Sequence, residues 1–118
     1  MTSDEVIEKL TAATEGSREL DLWISYHFGK HGTTAQHNDA FDCVADRRKL
    51  PALKWLLAYT TSLDAALMLT QGHEWALWMV EEGFICRITK RSETIQEVAP
   101  TPALALCIAS LKAAHHEG

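Results

Sequence analysis

Around residue 73 the hydrophobic pattern changes from a helical to a strand-like period, and this constrains the fold more than any other feature. Three strand-like runs follow, over residues 73–80, 84–90 and 93–98, separated by Glu81-Glu82-Gly83 and Arg91-Ser92. Runs this close, joined by turn residues, predict an antiparallel meander. In the first run Trp75, Ala76, Leu77, Trp78, Met79 and Val80 are apolar at successive positions, which predicts a sheet covered on both faces. The second keeps Phe84 and Ile85 apolar on opposite faces until Arg87 breaks the pattern, and Pro100 ends the third.

The rest of the chain reads as helices around that sheet. Thr2 with Glu5 forms a possible capping box ahead of Val6, Leu10 and Ala13, and Glu15-Gly16 ends this first helix. Ser17 caps a second helix, with Glu19 and Asp21 in its first turn, where the helix dipole favours anions. Leu20, Trp23, Ile24, His27 and Phe28 give it a wide apolar stripe before Gly29. Tyr59 to Leu67 joins the weakly patterned front half to the meander. Thr61 caps a short helix with Asp64 three residues on, Leu63, Ala66 and Leu67 face inward, and Gln71-Gly72 ends it. After the sheet, Thr101 caps and Pro102 opens a last helix whose inward stripe is Leu104, Cys107, Ile108 and Leu111, ending near Ala114. Residues 30–50 are polar, with a weak alternation of Phe41, Cys43 and Ala45 that fits a short edge strand. Residues 51–58 read equally as a helical turn or an extended lead-in. The expectation is one domain over residues 1–118, of the α+β class, an α/β/α sandwich with about three antiparallel strands between N-terminal and C-terminal helices.

With 118 residues, 47% of them hydrophobic, the chain is long enough for a core without staples. Its formal charge of −5 argues against a nucleic-acid backbone as partner, since phosphate binding needs a dense cationic surface. Three widely spaced cysteines, Cys43, Cys86 and Cys107, read as reduced thiols rather than a disulfide framework. The acidic N-terminus has no apolar leader, and no apolar run reaches the roughly 20 residues of a membrane helix. A cytoplasmic, membrane-free protein is the expectation.

Three stretches carry a family resemblance. They are the run from Leu10 through Thr14-Glu15-Gly16-Ser17-Arg18-Glu19-Leu20 to Asp21, the run from Tyr59 to Leu67, and the run from Thr101 to Leu111. The chain resembles the small phage and prophage proteins grouped as the phage ABA sandwich domain. The resemblance implies a sheet between helical layers, with these stretches opening the domain, leading into its middle helix and forming its closing helix. It implies no established activity and no catalytic residues. The departure from the family pattern falls over residues 30–57.

Each candidate for chemistry has a plainer reading beside it. His27, His31, His37 and Cys43 are ligand types zinc prefers, and four such groups can close a tetrahedral site. Their spacing matches no standard finger or protease motif, and the plainer reading has His27 rimming the core and the others in a solvated loop. No nucleophile elbow surrounds Cys43 or Cys86, and Cys86 and Cys107 read as small buried hydrophobes. Gly29 and Gly32 lack the strand-loop-helix setting of a phosphate loop. Arg47, Arg48, Lys49, Lys90 and Arg91 can converge on a phosphate or an acidic partner, or can be solvated turn residues guarding an edge strand. Of the four tryptophans, Trp23 lies on an inward stripe and Trp75 and Trp78 face opposite sides of the sheet, so at least two are expected in the core. Trp55 is the candidate interface anchor, against a core role.

The reading is a non-enzymatic accessory protein without a cofactor that binds a bacterial host or phage protein, in its concrete form modulating an antiviral defence system. Homodimerisation is open, and an open sheet edge at the short third strand favours self-association or strand addition. The alternatives are a zinc-binding domain or metal-dependent enzyme built on His27, His31, His37 and Cys43, and a small-ligand or nucleotide binder.

Overall fold

Thr2 opens helix α1 (Ser3–Ala12) with a complete capping box. Its hydroxyl accepts from the Glu5 amide at 3.2 Å, and the Glu5 carboxylate accepts from the Thr2 amide at 3.3 Å. The computed structural model describes residues 2–28, 48, 56–70, 73–90 and 93–115. After α1 come α2 (Arg18–Phe28), α3 (Leu63–Leu67), strands β1 (Glu74–Val80), β2 (Gly83–Lys90) and β3 (Glu93–Ala99), and α4 (Pro102–His115). Caps stand where polar side chains meet orphan amides. The Ser17 hydroxyl accepts from Leu20 and the Thr101 hydroxyl from Leu104, each at 3.2 Å. At α3 the cap is Ser62, accepting from Ala65 at 3.4 Å, one residue beyond the expected Thr61. Helix α1 stops at Ala12, short of the expected Glu15-Gly16, and Gly16 is instead needed for a close approach.

The fold is α+β, with a three-stranded antiparallel sheet flanked by N-terminal and C-terminal helices. Strand order is β1-β2-β3, in a continuous register from Glu74↔Thr89 to Val80↔Gly83 and from Phe84↔Ala99 to Lys90↔Glu93. Gly83 belongs to β2 rather than to the turn. Its φ of +141° suits glycine, and a Cβ there would lie 2.4 Å from the Ala99 carbonyl oxygen.

Helix α4 is the hub. It packs on β2 and β3 on one side and on α1 and α3 on the other, while α2 packs on α1. Burial therefore runs all round it, from Ala103 to Leu111, and not only along the expected stripe of Leu104, Cys107, Ile108 and Leu111. Its alanines, Ala103, Ala105 and Ala109, keep neighbouring elements close without a large side chain between them. The inner sheet face gives Cys86 and Ile88 to this core, both fully buried, with Phe84, Leu77 and Ile95 packed against it. Lys112 of α4 pairs with Glu97 of β3, and the Lys90 ammonium donates to the Ala113 carbonyl at 3.4 Å, a cation at the helix C-terminus.

The expected second cover over the sheet is not supplied by the described residues. Among them, the outer face carries half-buried Trp78 and Ile85 and exposed Val98. Trp75 and Trp78 do face opposite sides. Of Trp23, Trp75 and Trp78, only Trp23 is buried, because β1 overhangs α4 and leaves Trp75 45% exposed. No helix of the described residues is long and apolar enough to cross a membrane.

Candidate functional site: a buried polar tie and an open sheet face

The three stretches singled out in the sequence meet at one place. Asp21 stands in the first turn of α2, as expected, and is fully buried. Its Oδ1 accepts from the Thr60 amide at 2.8 Å and lies 2.7 Å from the Thr60 hydroxyl. Its Oδ2 accepts from Arg18 at 2.9 Å. The other arm of Arg18 donates to the Leu56 carbonyl at 2.7 Å. The Thr60 hydroxyl also accepts from the Ser17 amide at 2.9 Å. Gly16 lies so close that a Cβ would sit 2.2 Å from the Thr60 carbonyl oxygen. The Cys107 thiol donates to the Tyr59 carbonyl at 3.1 Å, bringing α4 into the same tie.

Electrostatics follow from burial. Desolvation raises the Asp21 carboxyl above its ordinary range, outweighing the Thr60 hydrogen bonds and the Arg18 charge that pull it down. Burial, with Asp21 and Cys107 nearby, pushes the Tyr59 hydroxyl up to about 12, and burial pushes the Cys86 thiol up to about 11. Burial also raises Cys107, aided by Asp21 and Cys86. Thiols held this high are protonated near neutrality and are poor nucleophiles. Both therefore fit the reading as small buried hydrophobes.

Beside the tie lies a cleft of about 290 Å³ between Gly16, Thr60, Thr61, Leu63, Thr101 and Pro102. The hydroxyls of Thr60 and Thr101 are committed to the tie and to the helix cap. Glu15 is the titratable side chain on the rim, and no acid–base or nucleophile–base pair stands among the described lining residues. The tie is built to hold the fold together.

The outer sheet face is different in kind. Trp78, Ile85 and Val98 are register partners across the three strands, so they form one apolar row. The Arg87 guanidinium lies 5.1 Å from the Trp78 ring centroid, and its Nε donates to Gln96 Oε1 at 3.1 Å. Arg87 is thus exposed but held by two neighbours.

The sequence-derived candidates fall unevenly. His31, His37, Cys43, Arg47, Lys49, Trp55 and Arg91 lie outside the described residues, as does the side chain of His27 in the last turn of α2. The suspected edge strand at Phe41, Cys43 and Ala45 also lies outside them. Arg48 is described and exposed, and Lys90 faces the end of α4. Among the described residues no group of three metal-ligating side chains comes together. Sequence reasoning missed Asp21, Thr60 and Arg87. The available signals were an Arg–Asp pair at i, i+3 in the first turn of α2, and an arginine in the strand that follows the tryptophan-bearing one. The fold and these sites define a small α+β domain with a buried internal tie and an outer sheet face left uncovered by the described residues. No family model, curated protein or solved structure matches the chain.

Proposed function

We propose that this is a non-enzymatic, phage- or prophage-type accessory protein that holds a partner protein in the cytoplasm of a bacterial host, modulating a defence system there. The observation that carries the protein-binding reading is the outer sheet row. Val98 is 53% exposed beside half-buried Trp78 and Ile85, with Arg87 over the tryptophan ring. Tryptophan and arginine dominate the energetic centres of protein interfaces, and a hydrophobic centre with a polar rim is their usual anatomy. Here Gln96, Thr94 and Glu74 supply polar side chains on the same face. The phage affiliation and the defence role rest on the resemblance of the three stretches, and the absence of a cofactor and of catalysis belongs to the same reading.

The test is affinity capture from phage-infected bacterial lysate, followed by titration of the recovered protein against wild type, Trp78→Ala and Arg87→Glu. Loss of an interface centre costs about 2 kcal/mol or more, a roughly 30-fold weaker Kd. The expected result is that weakening with an unchanged thermal midpoint for Arg87→Glu. A partner bound equally by wild type and both variants overturns the assignment to this face.

A further inference from the structure

The sheet has two edges, and they are not alike. At β3, Glu93 and Glu97 are charged, Glu97 is tied to Lys112, and Pro100 follows the strand. These are the devices by which proteins discourage edge pairing. At β1 the sequence from Glu74 to Val80 has one charge, at its first residue, and no lysine or proline. Among the described residues β1 pairs with β2 alone. Its inner-face side chains overhang α4, with Trp75 45% and Met79 75% exposed and Leu77 half-buried.

The backbone of this edge is self-complementary. The two-residue connection Glu81-Glu82 makes Val80 and Gly83 a hydrogen-bonded pair, and such pairs alternate along an antiparallel ladder. Val80, Trp78, Ala76 and Glu74 therefore turn their amides and carbonyls toward β2. Trp75, Leu77 and Met79 turn theirs outward. A two-fold axis at Leu77 sets Leu77 opposite the partner's Leu77 and Trp75 opposite the partner's Met79, and each of these facing pairs can exchange two hydrogen bonds. The same register sets Glu74 against the partner's Val80 and His73 against the partner's Glu81. No like charges face each other, and an imidazole meets a carboxylate at each end. The side chains that α4 leaves overhanging acquire partners, including a methionine sulfur beside an aromatic ring.

We propose that the protein forms a two-fold dimer by antiparallel pairing of β1 with β1 of a second copy, centred on Leu77. This surface lies at the sheet edge and inner face, and the inference is independent of the role given to the outer face.

The first measurement is the mass of the untagged full chain by sedimentation equilibrium, for wild type and for Met79→Lys. The lysine places a cation on an exposed inner-face position of the edge and occurs twice in the interface. The expected result is a wild-type dimer and about tenfold weaker self-association in the variant, with unchanged circular dichroism. The second measurement fixes the register. In a Cys43→Ser background, Leu77→Cys places two thiols across the axis, at the roughly 5.5 Å Cα separation of a hydrogen-bonded pair, within reach of a disulfide. Mild oxidation is expected to cross-link Leu77→Cys into a covalent dimer and to leave Ala76→Cys, which faces the partner's Trp78, uncross-linked. A wild-type monomer at the highest soluble concentration overturns the proposal. So does a dimer that Met79→Lys leaves intact and Leu77→Cys does not capture.

Discussion

Replacing Thr60 by valine tests whether the buried tie holds the α2 entry to the chain before α3. Thr60 is 1% exposed, and valine keeps its shape while replacing the hydroxyl with a methyl group. That hydroxyl lies 2.7 Å from the Asp21 carboxylate and accepts from the Ser17 amide at 2.9 Å. A hydrogen bond to a charged acceptor contributes about 1.5–3 kcal/mol and a neutral one about 0.5–1.5 kcal/mol. Asp21 keeps the Thr60 amide and the Arg18 guanidinium, so the loss is partial. The expected destabilisation is about 2–4 kcal/mol. In a chain of 118 residues this lowers the thermal midpoint by roughly 8–16 °C. Thr60→Ser keeps the hydroxyl, loses one methyl group and costs about 1 kcal/mol. Urea unfolding followed by circular dichroism separates the two variants, provided the slope of free energy against denaturant stays constant. If Thr60→Val is no less stable than Thr60→Ser, the tie is not holding these segments together.

Three further outcomes follow from the same geometry. Because burial raises the Asp21 pKa above its unfolded value of about 3.9, this carboxyl's contribution to stability is full below that value and is lost as pH rises through the folded pKa. Asp21→Asn cannot ionise. The free-energy gap between wild type and this variant should therefore shift in favour of wild type on acidification through that window, and urea titrations showing the opposite slope refute the direction. Gly16→Ala drives a methyl group into the Thr60 carbonyl, with a Cβ 2.2 Å from that oxygen, and should cost about 2 kcal/mol or more in the same assay. In a Cys43→Ser background, Cys86 and Cys107, both fully buried with raised thiol pKa values, should react with a thiol reagent only as fast as the protein unfolds.

What was legible in the sequence was what depends on neighbours in the chain. The Thr2–Glu5 box, the Ser17 and Thr101 caps and the two-residue hairpins are local chemistry, and each stands within a residue of its expected place. The alternation of strand side chains also placed Trp75 and Trp78 on opposite faces. What failed was set by elements far apart. Asp21 read as a first-turn anion because nothing nearby announces that Thr60, 39 residues on, supplies its donors. Among the described residues, burial on the inner face of β1 is limited by α4, which packs mainly on β2 and β3 and leaves Trp75 exposed.

The three stretches singled out in the sequence are also the ones that build the tie. Gly16, Ser17, Arg18 and Asp21 come from the first, Tyr59 and Thr60 from the second, and Cys107 from the third. Each is occupied by contact with the others: a glycine where a Cβ does not fit, a carboxylate whose oxygens are taken, a thiol raised by burial. Residues committed in this way define a scaffold and leave little chemistry for a ligand. Such residues set architecture, and any binding specificity must come from elsewhere. Among the described residues the Trp78, Ile85 and Val98 row and the β1 edge lie outside the tie. These side chains are not fixed by the tie. Substitution on the sheet should therefore alter binding while the fold persists, and substitution in the tie should alter the fold first and binding only through it.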